Sequence, residues 1–315
     1  MNFLRLLETF RTPFLDAFFL ALTKLGEETV FLIVALVLIW CIDKKYGFYI
    51  LYCGLIGQAL NQFMKISFRV ERPWIANPDF NPVASAIKEA KGFSFPSGHT
   101  QIATTTYGGL ALLYRKKKWL MTFFVCLVAL VAFSRMYLGV HYPSDVLVSL
   151  VINTVLISVV FYFVNRITID RLSRFMRISA FLLILVLFVF SCVMSIGKTD
   201  NEFYADTVDF AAKTFGAVAA FCISWYIDDR YINYSTAAVW HFQIVKVLVG
   251  AAIIILIKEG AKPFFVSIGL PVFLSHILRY FLIVFFAGTV WPYLFEKILK
   301  KYPSLSKKSR NTIAK

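Results

Sequence analysis

Long apolar runs recur from one end of the chain to the other, and they leave it few ways to fold. Nine of them, at residues 27–42, 46–68, 101–114, 119–138, 144–164, 178–196, 210–227, 237–257 and 271–294, are separated by short polar segments. A run of about 20 apolar residues crosses a bilayer as a helix, because only a helix or a closed barrel satisfies its own backbone in hydrocarbon. The pattern, whose first run is somewhat short, predicts an all-α, polytopic membrane helix bundle with about eight spans. Composition agrees: 59% of the 315 residues are hydrophobic and 33 are Phe, more apolar material than a soluble domain of this size buries.

The net charge of +15 would suggest nucleic acid in a soluble protein. Here the cations sit in clusters between apolar runs: Lys44-Lys45, Arg115 to Lys118, the group Arg166, Arg171, Arg174 and Arg177, and the Lys-rich end. Such clusters mark the cytoplasmic side of a membrane protein. The acidic loop with Asp200, Glu202, Asp206 and Asp209 then falls on the opposite side, as do the loops at 69–95 and 139–143. No basic groove with stacking aromatics is present, so nucleic acid is not an expected partner. The expected partners are the bilayer and a membrane lipid.

Residues 2–24 alternate Phe and Leu with Arg5, Glu8, Arg11 and Asp16, a one-faced helical pattern too short in purely apolar residues to span. An amphipathic helix lying in the interface is expected there. No cleavable leader pattern follows, so insertion is expected to use the first membrane helix. The five Cys all lie in or beside apolar runs without CxxC or Cys/His spacing, which reads as small buried residues rather than disulfides or a metal site.

Three short polar groups stand out at the ends of apolar runs: Lys65 with Arg72-Pro73, Pro96-Ser97-Gly98-His99, and Ser134-Arg135 with His141 and Asp145. Phosphate carries charge spread over several oxygens and is best held by cations and forked donors. Ser97 can cap the helix that follows, and Gly98 allows close backbone approach. Pro143 suits a first helical turn, which puts Asp145 about one turn from His141. That spacing lets the carboxylate hold one ring nitrogen and leaves the other free as a nucleophile. His99 would protonate the leaving oxygen. Trp74 is read as packing on substrate or anchoring its loop. Lys246, Arg279, His241, Gln243 and His276 are read as interhelical hydrogen bonding rather than a second head-group site, and Asp228-Asp229-Arg230 as a solvated turn.

The pattern Lys65-x6-Arg72-Pro73, Pro96-Ser97-Gly98-His99, Ser134-Arg135-x5-His141-x3-Asp145 resembles the three-part signature of the type 2 phosphatidic acid phosphatase (PAP2) superfamily, integral-membrane branch. The resemblance covers the six runs from about residue 27 to 196 and is matched at every signature position. It implies a PAP2-like catalytic membrane core over 25–197, after the interfacial helix of 1–24 and before a transmembrane extension over 198–296 and a basic cytoplasmic tail over 297–315. It implies that His141 is the nucleophile and forms a phosphohistidine, Asp145 orients it, and His99 is general acid and then base. Lys65, Arg72, Ser97, Gly98 and Arg135 would hold the phosphate oxygens, with Ser134 supporting Arg135. No metal and no cofactor are implied. The expected activity is hydrolysis of a lipid phosphate or isoprenyl pyrophosphate on the non-cytoplasmic face of a bacterial plasma membrane. Transfer of the phosphoryl group to another lipid, a glucose-6-phosphatase-like activity, and a lipid transporter or binding protein are the alternatives.

Overall fold

The computed structural model describes residues 1–88, 90, 92–196 and 202–306. Asp200 and the end of the chain from residue 307 lie outside the described residues, as do the side chains of Glu202 and Asp206. The chain is an integral membrane protein of helices, which form two compact units.

The first unit, Met1–Val34 with Tyr49–Ile167, carries all three signature groups. Its helices are α1 (Asn2–Thr9), α2 (Pro13–Thr23), α3 (Glu28–Val37), α4 (Lys44–Phe68), the short α5 (Pro73–Ala76) and α6 (Ala84–Ile87), α7 (Gly98–Ala103), α8 (Gly109–Leu113), α9 (Lys118–Tyr137) and α10 (Pro143–Arg166); α3 and α4 each begin or end in the other unit. The single amphipathic helix expected over 2–24 is two helices. Thr12 accepts from the Leu15 N–H at 3.3 Å and Pro13 takes the first helical position, so a new helix starts there. Leu4 and Leu7 are buried while Phe3, Leu6, Phe10, Phe14 and Phe18 are exposed. The loop at 69–95 contains α5 and α6. Between α7 and α8 the helix loosens into a π turn, Thr104–Gly108, where the Thr104 and Thr106 hydroxyls donate to carbonyls four residues back at 2.7 and 2.8 Å.

The second unit, Ala35–Phe48 with Thr168–Lys315, contains α11 (Ile169–Ser195), α12 (Glu202–Ile227), α13 (Trp240–Ser267), α14 (Val272–Phe285) and α15 (Trp291–Lys301). The expected core ran on to residue 197, whereas α11 belongs to this unit. Phe48 stacks on Trp225 with centroids 4.4 Å apart, and the buried Trp40 indole donates to the Ala287 carbonyl at 2.9 Å. Asp228, expected in a solvated turn, is fully buried. It accepts from Lys44 Nζ at 2.9 Å and from the Tyr234 N–H at 3.2 Å, because a buried carboxylate needs a cation and donors to offset lost hydration. The tail expected from Lys297 is helical to Lys301, since Phe295 and Leu299 bury one face of α15.

Among the described residues, six helices are long and apolar enough to span: Lys118–Tyr137, Pro143–Arg166, Asp170–Met194, Thr207–Ile232, Trp240–Ser267 and Val272–Lys301. Pro13–Gly26 and Glu28–Ile42, bent by 47°, make a seventh if taken together. The nine apolar runs of the sequence also took in α3, α4 and the α7–α8 run. At 25 residues α4 is long enough, but Gln58, Asn61, Gln62 and Lys65 make it polar, and α7 and α8 are short.

Candidate active site

All of the site residues named from the sequence lie in the first unit. His141 sits in the short link between α9 and α10. Gly139, with φ of +75°, turns the chain there in a conformation that favours glycine. Pro143 starts α10, and Asp145 is its third residue, where its carboxylate accepts from the Tyr142 N–H at 2.9 Å as half of a capping box. The same oxygen, Oδ2, faces His141 Nδ1 at 3.3 Å. One carboxylate therefore fixes both the start of the helix and the imidazole four residues before it.

Arg72 approaches the other ring nitrogen. Its Nη1 donates to His141 Nε2 at 3.0 Å and to the Val140 carbonyl at 2.8 Å, while Nε donates to the Gly92 carbonyl at 3.0 Å. Pro73 places Arg72 in extended backbone just before α5, as expected of a residue preceding proline. Lys65, in the last turn of α4, donates to the Phe93 carbonyl at 2.7 Å. Arg135, in the last turn of α9, is 1% exposed and donates through Nη1 to Thr23 Oγ1 at 2.7 Å. These three cations and Asp145 act on one another electrostatically. Three positive charges with one carboxylate among them suit a polyanion.

His99 stands at the first turn of α7, within the field of the same three cations. Its Nε2 is buried and has no hydrogen-bond partner among the described residues. Ser97 caps the helix: its hydroxyl accepts from the Thr100 N–H at 3.4 Å and from the Thr100 hydroxyl at 2.9 Å. A Cβ on Gly98 would meet Asn61 Oδ1 at 4.0 Å and nothing nearer, so protein packing does not demand glycine there. Ser97 is tied to the start of α10 as well, since its N–H donates to the Asp145 carbonyl at 3.2 Å and its own carbonyl accepts from Ser149 at 2.8 Å.

Burial, together with Arg72, Arg135 and Lys65, holds the His141 imidazole well below the usual histidine range. The ring is neutral at physiological pH and keeps a lone pair. Burial lowers the Arg72 guanidinium to about 10, which leaves it charged at neutral pH.

Sequence reasoning missed Ser94. Its hydroxyl makes a short hydrogen bond to Asp145 Oδ2 and lies 3.5 Å from His141 Nδ1. Only its place two residues before Pro96 could have pointed to it. The Ser134 hydroxyl donates to the Val131 carbonyl at 2.6 Å. Trp74 packs on Arg72, ring centroid to guanidinium 5.9 Å.

The PAP2 superfamily model matches residues 46–169, and the model described as PAP2 superfamily phosphatase, transmembrane extension, matches 212–302. Phosphatidylglycerophosphatase B of Bacillus subtilis is 30% identical over 147 residues, which are 44% of this chain and 69% of that one. The chain belongs to the PAP2 superfamily. An undecaprenyl-diphosphatase of Sulfolobus acidocaldarius is 32% identical over 135 residues, 42% of this chain and 63% of the relative's length. The crystal structure of a transmembrane PAP2-type phosphatidylglycerolphosphate phosphatase from Bacillus subtilis superposes with a TM-score of 0.44 at 26% identity, covering 53% of this chain and 85% of that one. The PAP2 match covers every residue of the site described above except Thr23, and the extension match falls in the second unit.

Proposed function

We propose that this PAP2 protein is a metal-independent phosphatase that hydrolyses a lipid phosphate or isoprenyl pyrophosphate through a phosphohistidine. Lys65, Arg72 and Arg135 supply the positive charge that the transferring group requires, with the Ser97 and Gly98 segment at the start of α7 adding backbone donors. His141 Nε2 attacks phosphorus while the bond to the leaving oxygen breaks. Asp145 holds the proton on Nδ1 and offsets the charge that develops on the ring. His99 gives a proton to the leaving oxygen, then takes one from water as that water attacks phosphorus. The N–P bond breaks, inorganic phosphate leaves, and both histidines return to their starting states.

One observation carries the reading. His141 has Asp145 on Nδ1 and a guanidinium N–H on Nε2, so its attacking lone pair already points at a cation that would hold phosphate. Entry of a phosphoryl group lets Arg72 pass its N–H from the ring to a phosphate oxygen. His99 gains from the same event, because an imidazolium among three cations is stabilised once a phosphate is present.

The names of the relatives favour lipid substrates, undecaprenyl diphosphate and phosphatidylglycerol phosphate among them. The basic clusters favour a site on the non-cytoplasmic face, and the bacterial relatives favour a bacterial plasma membrane. Rapid quenching of the purified protein during turnover tests the reading. It should trap an acid-labile phosphate on the peptide containing His141, with none in His141→Ala. Undiminished turnover in that variant would remove the mechanism.

A further inference from the structure

The family match begins at residue 46, yet the site is completed from the N-terminal side of that boundary. Thr23, the last residue of α2, is 1% exposed and accepts the 2.7 Å hydrogen bond from Arg135 Nη1 across 112 residues of sequence. The turn that follows, Lys24–Gly26, lies against the second signature group. A Cβ on Gly26 would stand 3.0 Å from the His99 carbonyl oxygen, 3.2 Å from His99 Cβ and 2.7 Å from Val131, so this glycine is needed for the backbone to come so close. Tyr107 clasps the same turn, its hydroxyl donating to the Leu25 carbonyl at 2.9 Å.

The rest of the N-terminal pair is anchored just as specifically. Arg11 Nε donates to the Tyr137 carbonyl at 3.1 Å, and Arg11 Nη1 donates to the Asn81 carbonyl. The Tyr137 hydroxyl donates to Asp16 at 2.9 Å, and Glu8 accepts from the Asn81 N–H at 3.2 Å. Phe19 packs on Tyr137 with centroids 4.2 Å apart. These contacts fix α2 against the end of α9 that carries Arg135.

From these contacts we infer that Thr23 is a positioning residue for the phosphate site: it sets the orientation of the Arg135 guanidinium, and the N-terminal helix pair is a working part of the site. The inference rests on the phosphate-binding role proposed above for Arg135. A guanidinium is a rigid planar fork, so fixing one N–H fixes the direction of the others. An acceptor supplied by a short β-branched side chain at a helix end has little freedom to follow if Arg135 turns away. Removal of that acceptor leaves a buried N–H of a charged group without its partner and lets the fork rotate off the phosphate.

Calorimetric binding of inorganic phosphate to the full-length protein in detergent tests this without depending on turnover. Thr23→Val keeps the shape of the side chain and removes the acceptor; Thr23→Ser keeps the acceptor. The expected result is phosphate affinity weakened at least roughly tenfold in Thr23→Val and restored in Thr23→Ser, with the helical circular dichroism of both unchanged. Thr23→Val should add little to the loss already caused by Arg135→Lys, because the two act through one contact. Wild-type phosphate affinity in Thr23→Val, or a loss fully additive with Arg135→Lys, would overturn the inference. If phosphate binds and follows this pattern but no lipid phosphate is hydrolysed, the proposed activity fails while the positioning role stands. Failure of the wild type to bind phosphate would overturn both.

Discussion

At the scale of single residues, the site is one carboxylate serving several partners. Asp145 receives the Ser94 hydroxyl and the Tyr142 N–H and faces His141 Nδ1 with the same oxygen. Ser94→Ala should therefore lower kcat roughly 10- to 100-fold, the worth of a hydrogen bond to a charged group, with the helical circular dichroism unchanged. An unchanged kcat would show that Asp145 orients His141 unaided. The pH dependence has a definite sign. Attack needs neutral His141, and burial beside the three cations lowers its pKa, so kcat/KM should fall with decreasing pH only below the ordinary histidine value of about 6.5. An acid limb centred at about 7 or above would contradict that placement. Part of the grouping could be read from the sequence because it is local: Pro73 fixes the backbone beside Arg72, and Pro143 starts the helix that carries Asp145. Ser94 and Thr23 could not, since a lone hydroxyl residue has no signature until the fold shows what it faces.

At the scale of elements, the link between α9 and α10 positions His141 and has little room to change. Gly139 has a positive φ, and a Cβ there would lie 2.9 Å from the Phe80 ring and 2.7 Å from Arg11 Nη2. Gly139→Ala should cost about 2 kcal/mol or more, combining left-handed strain with the clash. Thermal unfolding in detergent measures it, and a melting temperature equal to that of the wild type would show that the link yields more easily than its geometry indicates. Helix breaks were less legible than helices. Periodicity over 2–24 ran through the break at Thr12-Pro13, where a hydroxyl cap outweighs the apolar pattern. Asp228 read as solvent-facing because its partner Lys44 is 184 residues away.

On the scale of the whole molecule, the apolar runs fixed an all-helical membrane protein but not its division. Hydropathy marks which segments are apolar, not which pack together, so the assignment of α11 to the second unit could not be foreseen. The same limit applies to α4, where Gln58, Asn61, Gln62 and Lys65 lower the apolar signal by which a span is recognised. The central claim, hydrolysis of lipid phosphates by this PAP2 chain, is tested most directly by phosphate release. The purified protein would be given undecaprenyl diphosphate, phosphatidylglycerol phosphate, phosphatidic acid and glucose 6-phosphate, with His141→Ala as control. The account predicts release from at least one lipid and none in the variant. Release from none of the lipids by the wild type, or equal release by His141→Ala, would contradict it.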